Sequence, residues 1–156
     1  MEFLLKKFPL HVNPCYSLVV VLFMAYVPHI FKKSILAKKL KESGKEYATA
    51  NSRGLSAIMV DDSPQGMRIA NLMGCHQNGL EAFGYYSVAM LSSMIVYVDS
   101  EVLSGFAGFF ILVRSAYTYV YLSHFNGAPR TYLFFLSGFS CMGLMIIAGN
   151  KYSQAA

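Results

Sequence analysis

Four stretches of this chain are too apolar to lie on the surface of a water-soluble domain. Residues 15–31 carry no formal charge, 80–98 are interrupted only by Glu81, 102–122 only by Arg114, and 132–149 again carry none. Each has about the length needed to cross a hydrocarbon core of about 30 Å. An apolar content of 55% against 13% charged residues agrees with a bilayer as the solvent for much of the chain, and it excludes disordered, collagen-like and coiled-coil classes. The 156 residues suit a single domain. Positive charge follows the first run more strongly than it precedes it, and no small-x-small site closes it, so a span is expected there rather than a cleaved signal peptide.

The charges are placed as membrane loops place them. Lys32, Lys33, Lys38, Lys39, Lys41, Lys45 and Arg53 directly follow the first run, Asp99 and Glu101 separate the second and third, Arg130 lies between the third and fourth, and Lys6, Lys7 and Lys151 flank the set. By the positive-inside rule loops one and three face the cytoplasm and both termini face out. The cluster belongs to a membrane-proximal loop attracted to anionic lipid, and with no base-reading motif beside it, nucleic acid is not an expected partner. Residues 32–47 read either as a basic amphipathic helix that dips Ile35, Leu36 and Leu40 into the interface or as a solvated loop. Residues 51–63 read as irregular connection. The second helix is expected to begin near Pro64 or Gln65, with Asp62 or Ser63 as its cap and Pro64 in the first helical position. The four spans are thus set at about 15–31, 66–98, 102–122 and 132–149 of one transmembrane domain.

Ionisable groups in lipid are expensive, on the order of 3 kcal/mol at a helix centre, so Glu81 and Arg114 need partners and mark a site. A pair between them would neutralise both. Arg68, Asn71, Cys75, Asn78, Glu81 and Tyr85 follow one another in steps of three and four, one face of a helix that cannot all meet lipid. Arg114, Tyr117 and Tyr121 repeat the pattern on the next helix. Two such stripes side by side would enclose a site open to the cytoplasm, suited to a ligand with an anionic polar head and to an apolar co-substrate from the membrane. Cys15, Cys75 and Cys141 are read as small buried apolar residues. His76, off the main stripe, is read as a lateral or subunit contact. No metal is expected, since the histidines and cysteines lack ligand spacing, and no phosphate loop or nucleophile elbow is present.

Together these residues resemble the MAPEG family, the membrane-associated proteins of eicosanoid and glutathione metabolism. HQNGLEAF at 76–83 is similar to that family's NxxE signature, with Arg68 upstream. RSAYTYVY at 114–121 resembles its Arg and paired Tyr, Arg130 follows after a short turn, and NSRG at 51–54 is similar to its first cytoplasmic loop. The resemblance implies an all-α membrane protein, a left-handed bundle of four transmembrane helices assembled as a homotrimer, with glutathione as co-substrate held between subunits. It implies that Arg53, Arg68, Asn78, Glu81, Arg114, Tyr117 and Tyr121 surround the tripeptide and that Arg130 lies near the sulfur as the catalytic cation, favouring the thiolate, which is the nucleophile. Catalytic relatives usually carry further arginines seven and four residues before the signature Asn, where this chain has Asn71 and Gly74.

The expected activity is that of a glutathione-dependent membrane transferase or peroxidase acting on apolar electrophiles or lipid hydroperoxides. The alternatives are a non-catalytic lipid-binding or scaffold protein of the same fold, for which Asn71 and Gly74 speak, and a small channel subunit that uses the buried charges as an ion path. Membrane lipid is a partner in each case. The expected address is the endoplasmic reticulum or another endomembrane.

Overall fold

A computed structural model of the chain describes residues 1–42, 60–123 and 127–155. The elements are helices throughout: α1 (Glu2–Lys6), α2 (Pro14–Glu42), α3 (Pro64–Ile95), α4 (Ser100–Leu122) and α5 (Gly127–Ala155). α2, α3 and α4 each begin where a side-chain oxygen is available for their unpaired amides. Asn13 Oδ1 accepts from the Cys15 amide at 3.0 Å, Ser63 Oγ from Gly66 at 3.0 Å, and Asp99 Oδ1 from Glu101 at 3.0 Å. Ser63 is therefore the cap of α3 and Pro64 takes the first position, where no amide is needed. α3 stops at Ile95, short of the expected residue 98, because Tyr97 adopts a left-handed φ of 56° and turns the chain. The Lys151 ammonium donates to the Tyr97 carbonyl and fastens that turn to α5.

α2, α4 and α5 are long and apolar enough to cross a membrane. α3 is longer than any of them, at 32 residues, but Arg68, Asn71, Asn78 and Glu81 interrupt it, and it has no stretch as apolar as those of the other three. The first helix is also longer than expected. It runs past its basic residues to Glu42 with Pro28 inside, so the described part of 32–47 is neither a separate surface helix nor a loop. Leu36 and Leu40 do not dip into a lipid interface either: both are fully buried in a small core with Ile69 of α3, flanked by Ile35 and Met73.

The main core is built around an aromatic stack. Tyr86 of α3 stands 4.3 Å from the Phe110 ring and 5.8 Å from the Phe106 ring of α4, and all three are fully buried. The Tyr86 hydroxyl donates to Ser17 Oγ at 2.5 Å, which satisfies the one polar atom in the stack. α2 and α3 approach closely at Ala25 and Gly79, where a Cβ on the glycine would lie 2.9 Å from the Ala25 Cα. His76 Nδ1 donates to the Ala25 carbonyl at 2.7 Å beside this crossing, so it is a contact between helices of one chain. Cys75 and Cys141 are buried as expected, but Cys15 is exposed at the start of α2, because only one turn of helix and a loop surround it.

The first dozen residues form an arm laid on α4. The Leu5 carbonyl sits where a Cβ on Gly105 would be, the Leu10 carbonyl where one on Gly108 would be, and the Val12 amide donates to the Ser104 carbonyl at 3.1 Å. Lys6 pairs with Asp99, the cap of α4, and draws its carboxyl below the usual range.

At the other end of the bundle Lys39 pairs with Asp61 at 2.7 Å and reaches Ser63 Oγ at 3.2 Å. The hydrogen bonds from Lys39 and Ser63 hold the Asp61 carboxyl at about 2, against about 3.9 for an unpaired one. A depressed carboxyl contributes stability that is present above its unfolded value and lost as pH falls through its folded value. The Asp61→Asn variant is therefore expected to lower the unfolding midpoint at pH 6, with the difference fading between about pH 4 and pH 2. Carbon NMR of the Asp61 carboxyl checks the assignment: its titration midpoint should return to the ordinary carboxylate range in Lys39→Met.

Candidate functional site

Three helices meet over a hollow at the end of α4. Asn78 of α3 is half-buried, and its Nδ2 donates to the Tyr117 hydroxyl of α4 at 2.8 Å. Arg114 lies one turn before Tyr117, with its guanidinium 4.2 Å over the Tyr117 ring and its Nη2 donating to the Asn78 backbone carbonyl at 3.1 Å. Side chains three apart on one helix share a face, which is why a single cation can hold both the α3 backbone and the phenol. Tyr121, one further turn along, has its ring 5.5 Å from that of Tyr117. The Arg130 guanidinium of α5 covers the Tyr121 ring at 4.8 Å.

Asn78, Tyr117, Tyr121 and Arg130 line a cavity of about 400 Å³ together with Gly127, Thr131, Phe134 and Phe135, with Arg114 behind that wall. One wall is thus a run of polar atoms, the Asn78 amide, two phenols and a guanidinium. The other is aromatic, and it continues along α5 as Phe134, Phe135 and Phe139 with successive rings 5.8 Å apart. A polar ligand on one side can meet an apolar molecule on the other without either being desolvated at a loss.

The sequence-derived candidates divide into those the fold brings together and those it does not. Asn78, Arg114, Tyr117, Tyr121 and Arg130 converge. Arg130, expected between the third and fourth spans after a short turn, sits in the first turn of α5, which begins ahead of the expected residue 132, and Phe134 four residues later shares its face. Arg68 is exposed on α3, about 15 Å along the helix from Asn78 at 1.5 Å per residue. Glu81 is exposed as well, and it accepts from Gln77 Nε2 at 3.4 Å. The expected pair between Glu81 and Arg114 does not form among the described residues. Arg114 is 95% buried and turned toward Asn78 and Tyr117, with its Nη1 lacking a hydrogen-bond partner. Arg53 lies outside the described residues.

Four lining residues escape the sequence reading: Gly127, Thr131, Phe134 and Phe135. The helical spacing from Arg130 to Phe134 is a usable signal for one of them, once α5 is known to start before Arg130. Among the described residues no three histidine, cysteine or carboxylate side chains gather as metal ligands do.

No curated protein sequence and no solved structure gives a significant match to the chain. A family model does match, over residues 14–150, and that span takes in α2, α3, α4, most of α5 and every lining residue of the cavity. With its three apolar helices this chain is an integral membrane protein of the MAPEG family, which includes glutathione transferases and peroxidases alongside other members.

Proposed function

We propose that the chain is a glutathione-dependent transferase or peroxidase acting on apolar electrophiles or lipid hydroperoxides at the membrane surface. The observation that carries the proposal is the Arg130 guanidinium beside Tyr121 at the rim of a cavity with one polar and one aromatic wall. A cation there favours the glutathione thiolate over the thiol. The Tyr117 hydroxyl and the Asn78 amide offer hydrogen bonds to the tripeptide, and the Phe134 and Phe135 rings offer an apolar surface to the second substrate. Arg114, buried beneath them, acts by holding Asn78 and Tyr117 in place.

In the transferase reaction the thiolate sulfur attacks an electrophilic carbon, the carbon–sulfur bond forms, and the leaving group departs with the electron pair or an opened ring oxygen takes a proton. In the peroxidase reaction the thiolate attacks the outer hydroperoxide oxygen. The O–O bond breaks, the lipid alkoxide takes a proton, and a second glutathione reduces the sulfenic acid to the disulfide with release of water. Both reactions begin with the same stabilised thiolate.

Arg68 and Glu81 fit a reading in which the protein is a homotrimer with α3 as the fourth transmembrane helix. Exposed on one protomer, a guanidinium and a carboxylate would meet the carboxylates and ammonium of glutathione held against a neighbour. The proposed address is the endoplasmic reticulum or another endomembrane, with the Arg130 end toward the cytoplasm by the positive-inside rule. The rival reading, a lipid-binding scaffold, draws on Gly74 and Asn71, which supply no positive charge where α3 faces the site.

Titration of glutathione into the purified protein near neutral pH, followed by ultraviolet thiolate absorbance, tests the proposal. A saturable signal is expected. A flat response up to about 20 mM, well above ordinary KM values, would overturn the glutathione reading in favour of the scaffold.

A further inference from the structure

Gly74 lies on α3 one turn before Asn78, so the two share the face that meets α4. A Cβ at Gly74 would stand 2.3 Å from the Tyr121 hydroxyl oxygen and 3.2 Å from Cζ. The tip of the phenol therefore occupies the space in which any side chain at this position would begin. Tyr121 is also a wall of the 400 Å³ cavity, between the Tyr117 ring at 5.5 Å and the Arg130 guanidinium at 4.8 Å. With α3 closing one side, a phenol expelled from Gly74 moves toward those two groups and into the cavity.

We propose that Gly74 is a specificity-determining position: its bare Cα seats the Tyr121 phenol, and the seated phenol sets both the space left for the apolar co-substrate and the placement of Arg130. The kinetic part of this inference rests on the glutathione reading; the seating does not. A glycine inside a helix is disfavoured relative to alanine by its backbone entropy, so Gly74→Ala should stabilise α3 unless something stands in the way. Here the Tyr121 hydroxyl does. The position acts through Tyr121 and touches no reacting atom, so it is a positioning residue.

The test is a double-mutant cycle of Gly74→Ala and Tyr121→Phe in the purified full chain, with two readouts. The first is the unfolding midpoint in detergent. With Tyr121 present, Gly74→Ala is expected to lower the midpoint or leave it unchanged. In the Tyr121→Phe background the nearest atom recedes to the ring carbon at 3.2 Å, and the same substitution is expected to raise the midpoint by a few degrees. The second readout is the ratio of kcat/KM for a bulky long-chain lipid hydroperoxide to that for the small electrophile 1-chloro-2,4-dinitrobenzene. Gly74→Ala is expected to lower this ratio about tenfold, the scale on which a pocket discriminates by a methyl-sized change in volume, and to do so mainly through KM for the bulky substrate. Loss of stability alone would lower both rates together. Additive midpoints would overturn the seating, and an unchanged ratio would overturn the specificity role. Absence of glutathione turnover in the unmodified protein would overturn the functional reading instead, and the midpoint cycle would then decide the seating by itself.

Discussion

Replacing Arg130 with alanine is expected to lower glutathione turnover about a hundredfold while leaving the bundle folded. The magnitude is that of removing one preorganised charge from the place where an anion must be held, about 10²–10³ in rate. The fold survives because Arg130 is only partly buried and its described contact is the face of Tyr121, an interaction worth about 0.5–1 kcal/mol at an accessible site. Arg130→Lys keeps the charge but loses the planar group that covers the ring, so an intermediate loss is expected. The checks are kcat/KM and the thiolate absorbance measured on the same preparations. Equal turnover in Arg130→Ala and the unmodified protein would remove Arg130 from the mechanism, and a lost thiolate signal with an unchanged unfolding midpoint would fix its role.

The second large effect is on stability. Gly79→Leu is expected to destabilise the protein by about 3 kcal/mol, the upper end of ordinary overpacking costs. At this crossing the new side chain would start 2.9 Å from the Ala25 Cα and 3.0 Å from its Cβ. Backbone cannot move aside as a side-chain tip can, so α2 and α3 must separate, and the His76 hydrogen bond to the Ala25 carbonyl would stretch with them. Gly149→Leu is the control, since a Cβ there meets nothing within 4 Å. The unfolding midpoint should fall steeply in the first variant and stay near the original in the second. Similar midpoints for both would mean that the α2–α3 crossing is looser than its geometry implies.

Much of this arrangement is legible in the residues themselves. The start of α3 follows from Ser63 and Pro64, and the meeting of Asn78 with Arg114 and Tyr117 follows from polar residues recurring on two successive apolar helices. The Glu81 to Arg114 pair was not obtained, and the reason lies in the stripe that suggested it. Steps of three turn a helix backward by about 60° and steps of four forward by about 40°. From Arg68 to Glu81 the stripe therefore winds about 140° around α3, and about 120° of that falls between the buried Cys75 and Glu81, which points away from it. A list of spacings reads as one face, but the accumulated angle does not. Helix ends were also harder to read than helix centres. α2 passes through its basic residues, where Leu36 and Leu40 pack with Ile69 of α3, and α5 begins ahead of Arg130, with Gly127 and Arg130 of its first turn lining the cavity. The fit of Tyr121 against Gly74 has no counterpart in either local sequence, since it depends on where two separate helices come to rest.

The arm on α4 carries a consequence for how the protein is made. Its seat is Gly105 and Gly108, and its ionic tie is Asp99, all about a hundred residues later in the chain than the segment they receive. During synthesis the arm emerges before α4 and has no seat until α4 has been inserted. Docking is therefore a late event in biogenesis, a closing step in which a segment made well before α4 reports that the third long helix has arrived.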